Sequence, residues 1–458
     1  MPLSSKRCAQ RQAYGPREEV QVTASSVSAS RIGLFAATAL GVGGMMGAGL
    51  YTLLGLAATS TGSYLPVAFV VGALAAVFSV YSYARLGSRF PSGGGAAHFI
   101  VEEYGHGISS GGLNVFQYLA YLIATSLYAT GFAEYADALG GHALPQWMAK
   151  VFGMGIVLVF LAVNVLGSKM VGRAEMLIVG IEIVILLGFV IIGLSSAQPS
   201  RLGSGGGDGT LGIITGAALL YVTYQGFGVV TNASNRMVSP RRELPRAMFA
   251  ALGIVAVLYV TISSLVVALM PQAAIVANAG HVLANAGQAA LGRIGFLAVA
   301  AAALLATSSA VNATLFAASN VAFDEARSGE LSRLLTGTVG RNGTVALVTS
   351  AAIVMLLVLF FPLDAVGQMT SLAFLVVYGA VSAGHLRVRA HTGARAWPLV
   401  VAVVVNIMLF VLLLVHAIRS GDASTWITLV GALIGSFLFE AVFRARSSRS
   451  SQRREATG

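Results

Sequence analysis

The sequence predicts an all-α polytopic membrane protein with twelve transmembrane helices and both termini inside. Composition is the first observation behind this. Of 458 residues, 56% are hydrophobic and only 10% charged, and the mean hydropathy is +0.81; a soluble domain carries about 25% charged residues. The second observation is the placement of cations. Of the 28 Lys and Arg residues, all but Lys150, Arg201, Arg293 and Arg419 fall in the tails or in alternate loops, the bias that marks cytoplasmic loops. The third is a pair of apolar stretches interrupted by glycine at their centres, Gly41-Val42-Gly43-Gly44-Met45-Met46-Gly47-Ala48-Gly49-Leu50 and Thr223-Tyr224-Gln225-Gly226-Phe227-Gly228. Glycine costs about 1 kcal/mol relative to alanine inside a helix. Broken backbone at membrane depth is tolerated only where it lines a cavity or is buried in protein.

Each span follows from an apolar run near the roughly 20 residues that a bilayer core requires. The first, 32–59, contains the glycine-rich break. The second, 64–88, ends on Arg85 and Arg89. The third, 111–138, carries Tyr118, Tyr121 and Tyr128 at helical spacing. The fourth is 147–166. The fifth, 174–197, holds Glu182 about half-way along. The sixth, 210–233, contains the second break. The seventh is 247–270, and the eighth, 294–322, carries Thr307, Ser308 and Ser309. The ninth and tenth, 344–361 and 365–385, are joined by Pro362-Leu363-Asp364 as a tight hairpin. The last two are 397–418 and 424–443. Residues 91–110 read as a short cytoplasmic helix, and 273–292 as a surface helix on the outer side. The tails, 1–30 and 446–458, are polar and expected to be disordered.

Several function classes are excluded at this stage. The single cysteine, Cys8, permits no intrachain disulfide. No apolar run precedes residue 31, so no cleavable signal peptide is expected. The net charge of +11 is accounted for by topology and attraction to anionic lipid, without nucleic acid as a partner. No HExxH or phosphate-loop pattern occurs, so no enzyme is expected. The scattered histidines imply no metal centre, and no cofactor is expected.

The order of motifs carries a family resemblance. GVGGMMGAGLYTLLG from Gly41, YSYARLGSRFPSGGGAAHF from Tyr81 and EEYG from Glu102 resemble the amino acid–polyamine–organocation (APC) superfamily of permeases. Asn164-Val165-Leu166-Gly167-Ser168-Lys169, Gln225-Gly226-Phe227, Ser239-Pro240-Arg241-Arg242-Glu243-Leu244-Pro245-Arg246-Ala247, and Asn312 to Phe316 with Ala326 to Leu331 follow in register. The resemblance implies a leucine-transporter-like fold, with inverted five-helix repeats at 31–197 and 208–388 and two additional helices at 395–445. The sequence departs from the family where its acid in Y-x-E-L is Arg85.

Two broken spans in corresponding halves mark a transporter site at the bilayer midplane. Free N–H groups at Met46, Gly47, Ala48 and Gly49 suit a substrate carboxylate. Carbonyls near Tyr224, Gln225, Gly226 and Phe227 suit an ammonium, and Val42 and Met45 complete the first-span side. Together these residues would hold the zwitterionic part of an amino acid; close packing of small residues is the competing explanation of the glycines. No acid lies in either break, which favours a neutral amino acid. Glu182 is the candidate proton-coupling group, since ionisable residues in membranes mark function by default; a structural carboxyl is the alternative. Ser308 and Ser309 are weaker sodium candidates, because such hydroxyls more often bond the preceding turn.

The expected function is a secondary active amino acid transporter, a proton symporter in a bacterial cytoplasmic membrane. A sodium-independent exchanger of amino acids or amines and a non-transporting sensor stand as alternatives. The partners are the amino acid, a co-transported proton and the bilayer; the oligomeric state stays open.

Overall fold

The computed structural model describes residues 32–47, 49–92, 94–141, 145–166, 171–328, 344–421 and 423–455. Among these there is no strand, only one isolated bridge between Ile32 and Met237. The apolar runs have become helices, as they must in lipid, where every backbone polar group needs an internal partner.

The first predicted span is two helices, α1 (Leu34–Met46) and α2 (Gly49–Thr61). They part at Gly47, whose ψ of −163° leaves the helical region. α3 (Leu65–Arg89) begins with Pro66 in its first turn, where a missing N–H costs nothing. α4 (Gly95–Tyr104) is the short helix expected within 91–110, and α5 (Ile108–Leu139), α6 (Gln146–Leu166) and α7 (Val171–Gly193) follow. The sixth predicted span is again divided. α8 (Gly209–Leu220) tightens into a 3-10 turn over Tyr221–Tyr224, turns at Gln225 and Gly226, and resumes as α9 (Phe227–Asn232).

α10 (Pro240–Leu269) starts on Pro240, and α11 (Gln272–Ala277) begins the predicted surface segment. That segment continues into α12 (Val282–Ser328), which bends at Gly292, where φ is +63°. Glycine adopts that conformation without steric cost. α13 (Thr344–Phe360) and α14 (Leu363–Thr392) form the expected hairpin around Pro362. α15 (Ala396–Arg419) and α16 (Ala423–Glu455) complete the chain. The helix of α16 continues through 446–455, a stretch expected to be a disordered tail. The residues there include no glycine or proline, so nothing interrupts it. The expectation for 1–30 lies outside the described residues.

Nine described segments are long and apolar enough to cross a membrane, and α1 and α13 are apolar but shorter. α5 is not among the nine, although it has 32 residues. Asn114, Gln117, its tyrosines and its glycines dilute its apolar content, and protein rather than lipid surrounds most of it. It packs against α12, α14, α16 and α6, while α3 lies along α10 and α8, α1 against α10 and α9, α2 against α8, and α7 against α12. Val184, Ile191 and Val257 are about 70% exposed on the outside of the bundle, a surface that requires a hydrocarbon solvent.

The loops gather on two faces. On one, Ile32 N–H reaches the Arg236 carbonyl at 3.0 Å, Arg89 donates to the His391 carbonyl at 3.1 Å, and Arg395 N–H bonds the Tyr81 hydroxyl at 2.9 Å. This is the basic face. On the opposite face, Asp208 N–H bonds the Ser60 carbonyl at 2.8 Å and Gln272 donates to the Ala58 carbonyl at 2.7 Å.

Candidate functional site

The two broken segments lie side by side. A Cβ placed on Gly226 would fall 2.1 Å from the Gly44 carbonyl carbon and 2.2 Å from Met45 N, so only glycine permits this approach. A Cβ on Gly49 would lie 3.2 Å from Thr223 Cα. The close-packing role of glycine and the break therefore coincide at Gly226, rather than competing as explanations.

Of the predicted first-span residues, Val42, Met45, Met46 and Gly49 are buried and Gly47 is half-buried. Ala48 lies outside the described residues. Tyr259 of α10 donates its hydroxyl to the Met45 carbonyl at 2.5 Å, which commits that carbonyl on the first-span side. A Cβ on Gly47 would sit 3.6 Å from Ala310 Cβ, so α12 passes close to the break. Ser308 and Ser309 are half-buried just before it. Thr307 is different: its hydroxyl donates to the Ala303 carbonyl at 2.7 Å, one turn back on its own helix. Among the described residues no cluster of His, Cys, Asp or Glu suits a metal ion.

On the second break, Gln225 is central. Its amide nitrogen donates to the Tyr128 hydroxyl at 3.0 Å, and its backbone carbonyl accepts from the Tyr378 hydroxyl at 3.1 Å and from Gly228 N–H at 3.1 Å. The Gly226 carbonyl accepts from Val229 N–H at 3.1 Å. The carbonyls of Gln225 and Gly226 are thus engaged, where free acceptors were expected. The acceptor left over is the side-chain Oε1 of Gln225, which is enclosed and has no hydrogen-bond partner.

Tyr224 and Phe227 are both fully buried, but neither points to open space. The Tyr224 hydroxyl donates to the Phe69 carbonyl at 3.0 Å, and its ring packs 5.4 Å from that of Tyr259. Phe227 lies 5.3 Å from Tyr83 and 5.1 Å from Tyr378, ring centre to ring centre. With Phe99 at 5.7 Å from Tyr83, these rings fill the space between the breaks and α4, toward the basic face. Below them Tyr104 donates to the Ala380 carbonyl at 2.7 Å.

The opposite side holds space instead. A cavity of about 560 Å³ is lined by Ser60, Glu134, Thr215, Leu219, Asp364 and Gln368 among others. It opens toward the face where Ser60 meets Asp208, and Leu219 shortly precedes the turn into the second break.

Glu182 on α7 is 2% exposed, and its Oε1 has no hydrogen-bond partner. Tyr51, on the first turn of α2 beyond the break, is its neighbour; Tyr259 is the next group within electrostatic reach. The Tyr51 hydroxyl is buried without a hydrogen-bond partner, so Glu182 and Tyr51 are electrostatic neighbours, while Tyr259 alone is bonded to the first break, at the Met45 carbonyl. Tyr51, Tyr259 and Tyr378 escaped sequence reasoning. Tyr259 offered one signal, a hydroxyl-bearing ring within the otherwise aliphatic Val255-Ala256-Val257-Leu258 run.

The model of the amino acid permease family matches residues 32–439. The chain belongs to that family, and with it to the APC superfamily. An uncharacterised protein of Methanocaldococcus jannaschii is 32% identical to this permease over 92% of the chain and 97% of its own length. An inner membrane transport protein of Escherichia coli is 29% identical over 90% of the chain and 96% of its own. A branched-chain amino acid permease of Lactococcus lactis is 26% identical over 78% and 81%. The permease is a multi-pass membrane protein of a transporter family. Its family motifs meet in space as well as in order: Asn164 of α6 donates to Asn312 of α12 at 2.8 Å. The segment from Ser239 builds the start of α10, where the Glu243 carboxylate accepts Ser239 N–H at 3.1 Å. The Gly167-Ser168-Lys169 part of the fifth-span motif lies outside the described residues.

Proposed function

We propose that this permease is a secondary active transporter that moves a neutral amino acid together with a proton by alternating access. The observation that carries the proposal is the buried Glu182 carboxyl, incompletely hydrogen-bonded and within electrostatic reach of Tyr51 and of Tyr259, which bonds the first break. Charge on such a group is costly in hydrocarbon. A proton bound there is released when the surroundings change, and the nearest element able to change is the break itself. The N–H groups at Gly47, just past the end of α1, and at Gly49, the start of α2, receive the substrate carboxylate; Met46 closes α1, so its N–H belongs to that helix. The Gln225 Oε1 receives the ammonium, since it is the enclosed acceptor still without a donor. No acid lies in either broken segment, which favours a neutral side chain over a cationic one.

The fold behind this mechanism is twelve crossings, N-in and C-in, as two inverted five-helix repeats with α15 and α16 added. The helix contacts support it. Corresponding helices of the two halves pack on one another: α2 on α8, α1 on α9, α3 on α10, α5 on α12 and α6 on α13. The contact of α7 with α12 is mirrored by that of α14 with α5. With the basic face cytoplasmic, the cavity opens outward and the Tyr83–Phe227–Tyr378 rings close the inner path.

Uptake of a labelled solute panel into proteoliposomes tests the proposal. The panel spans neutral, cationic and thioether-bearing compounds, in sodium-free buffer, with and without an inward proton gradient. Accumulation of a neutral amino acid only with the gradient is expected. Uptake that ignores the gradient and needs preloaded amino acid inside would make the permease an exchanger.

A further inference from the structure

Four arginines surround a cavity of about 310 Å³ at the basic end of α3 and α10: Arg85, Arg241, Arg242 and Arg246, with Tyr81 and Phe249. All four are exposed, and among the described residues none is paired with a carboxylate. The Arg85 guanidinium lies 5.5 Å from the centre of the Tyr81 ring. Arg241, Arg242 and Arg246 stand on the first two turns of α10. There the positive end of the helix dipole repels cations. Guanidinium groups converging on that end, without anions of their own, leave a strongly positive hollow.

The surface next to this hollow is apolar. From Arg242 and Arg246, the exposed side of α10 continues through Phe249 (38% exposed), Ile254 (52%) and Val257 (69%) into the hydrocarbon zone. Ala250 and Gly253 are exposed as well, so successive exposed positions are three or four residues apart and form one stripe along the helix. An anionic head beside a lipid-facing apolar stripe is the shape of a phospholipid. Arginine suits the head because its planar fork bonds phosphate oxygens in pairs, and basic pockets between membrane helices hold such headgroups.

We propose that this hollow between α3 and α10 is a binding site for the phosphate of an anionic phospholipid, with an acyl chain along Phe249, Ile254 and Val257. The site lies apart from the broken helices and does not depend on the substrate carried. It also gives Arg85, where the family carries an acid, a partner on the lipid side.

The test uses the full-length protein in nanodiscs and in detergent. Retention of phosphatidylglycerol against phosphatidylcholine is measured by native mass spectrometry for the wild type, Arg242→Gln/Arg246→Gln, Arg242→Lys/Arg246→Lys, and Arg389→Gln. Arg389 is exposed on the same face but away from the hollow. Preferential retention of phosphatidylglycerol is expected in the wild type. It should weaken by about fivefold per arginine neutralised, so roughly 25-fold in the double glutamine variant. The lysine variant should fall between these, and Arg389→Gln should match the wild type. Equal retention of both lipids, or equal loss in Arg389→Gln and the double variant, would overturn the site in favour of general surface charge. Inorganic phosphate in the low millimolar range displacing the lipid, and binding to lipid-free protein with the same arginine dependence, would overturn the lipid as its occupant and leave a soluble phosphate.

Discussion

At the residue scale, Glu182 and Glu103 pose the same physical question in two settings. Glu182 is enclosed within a span beside Tyr51, and the role proposed for it is coupling. Glu182→Gln keeps the shape and removes the proton site. Gradient-driven accumulation should vanish while exchange of internal for external substrate survives in part. Unchanged pH-driven uptake in that variant would remove Glu182 from the mechanism. Glu103 lies on α4, outside the spans. It is 6% exposed, with neither carboxylate oxygen hydrogen-bonded. Burial pushes its carboxyl well above the ordinary 4.5, and Arg387 nearby pulls partly the other way. A folded-state pKa above the unfolded one means the native state binds the extra proton. Its stabilising effect is therefore complete below pH 4.5 and is lost as pH rises toward the folded pKa. Glu103→Gln removes that loss. Thermal unfolding across pH should show a variant advantage that grows from about pH 4.5 upward, and parallel curves would refute the assignment.

At the scale of elements, the breaks depend on contacts that only glycine allows. Gly226→Val places a branched side chain where backbone atoms of Gly44 and Met45 already sit. No neighbouring side chain can yield, so the two broken segments must separate. We expect loss of substrate binding together with a clear fall in melting temperature. Gly47→Leu differs, because the nearest foreign atom to an added Cβ is Ala310 Cβ at 3.6 Å. That variant should fold and lose binding, as measured by substrate-induced thermal shift; normal binding in the folded variant would mean that the site lies elsewhere. Tyr259→Phe removes the donor to the Met45 carbonyl. Interhelical hydrogen bonds in membranes are worth about 0.6 kcal/mol on average. Its stability cost should therefore be small, and a large transport defect would come from misaligning the break beside Glu182.

At the scale of the whole molecule, one side of the breaks is filled and the other is open. The Tyr83, Phe227, Tyr378 and Phe99 rings occupy the path toward the basic face, and the cavity of about 560 Å³ occupies the other. The alternating access proposed for this permease requires the ring cluster to part and the cavity to close. A cysteine at Thr59, which lines the cavity and is exposed, should react with a membrane-impermeant thiol reagent from outside. Saturating substrate with an inward proton gradient should slow that reaction as the cavity closes.

Much of this was legible in the chain alone. The helical class, the two breaks, the short helix within 91–110, the hairpin at Pro362 and the buried acid on the fifth span all rest on local chemistry. Apolar run length, glycine and proline act within a few residues, so a linear reading reaches them. The engaged carbonyls of Gln225 and Met45, the tyrosines that engage them and the arginine hollow join residues far apart in sequence. Tyr259 and Met45 are separated by 214 positions, and Tyr378 and Gln225 by 153. No local period records such a partnership. Only packing decided which hydroxyl met which carbonyl, and left the Glu182 carboxyl and the Gln225 side-chain oxygen with acceptor sites unfilled.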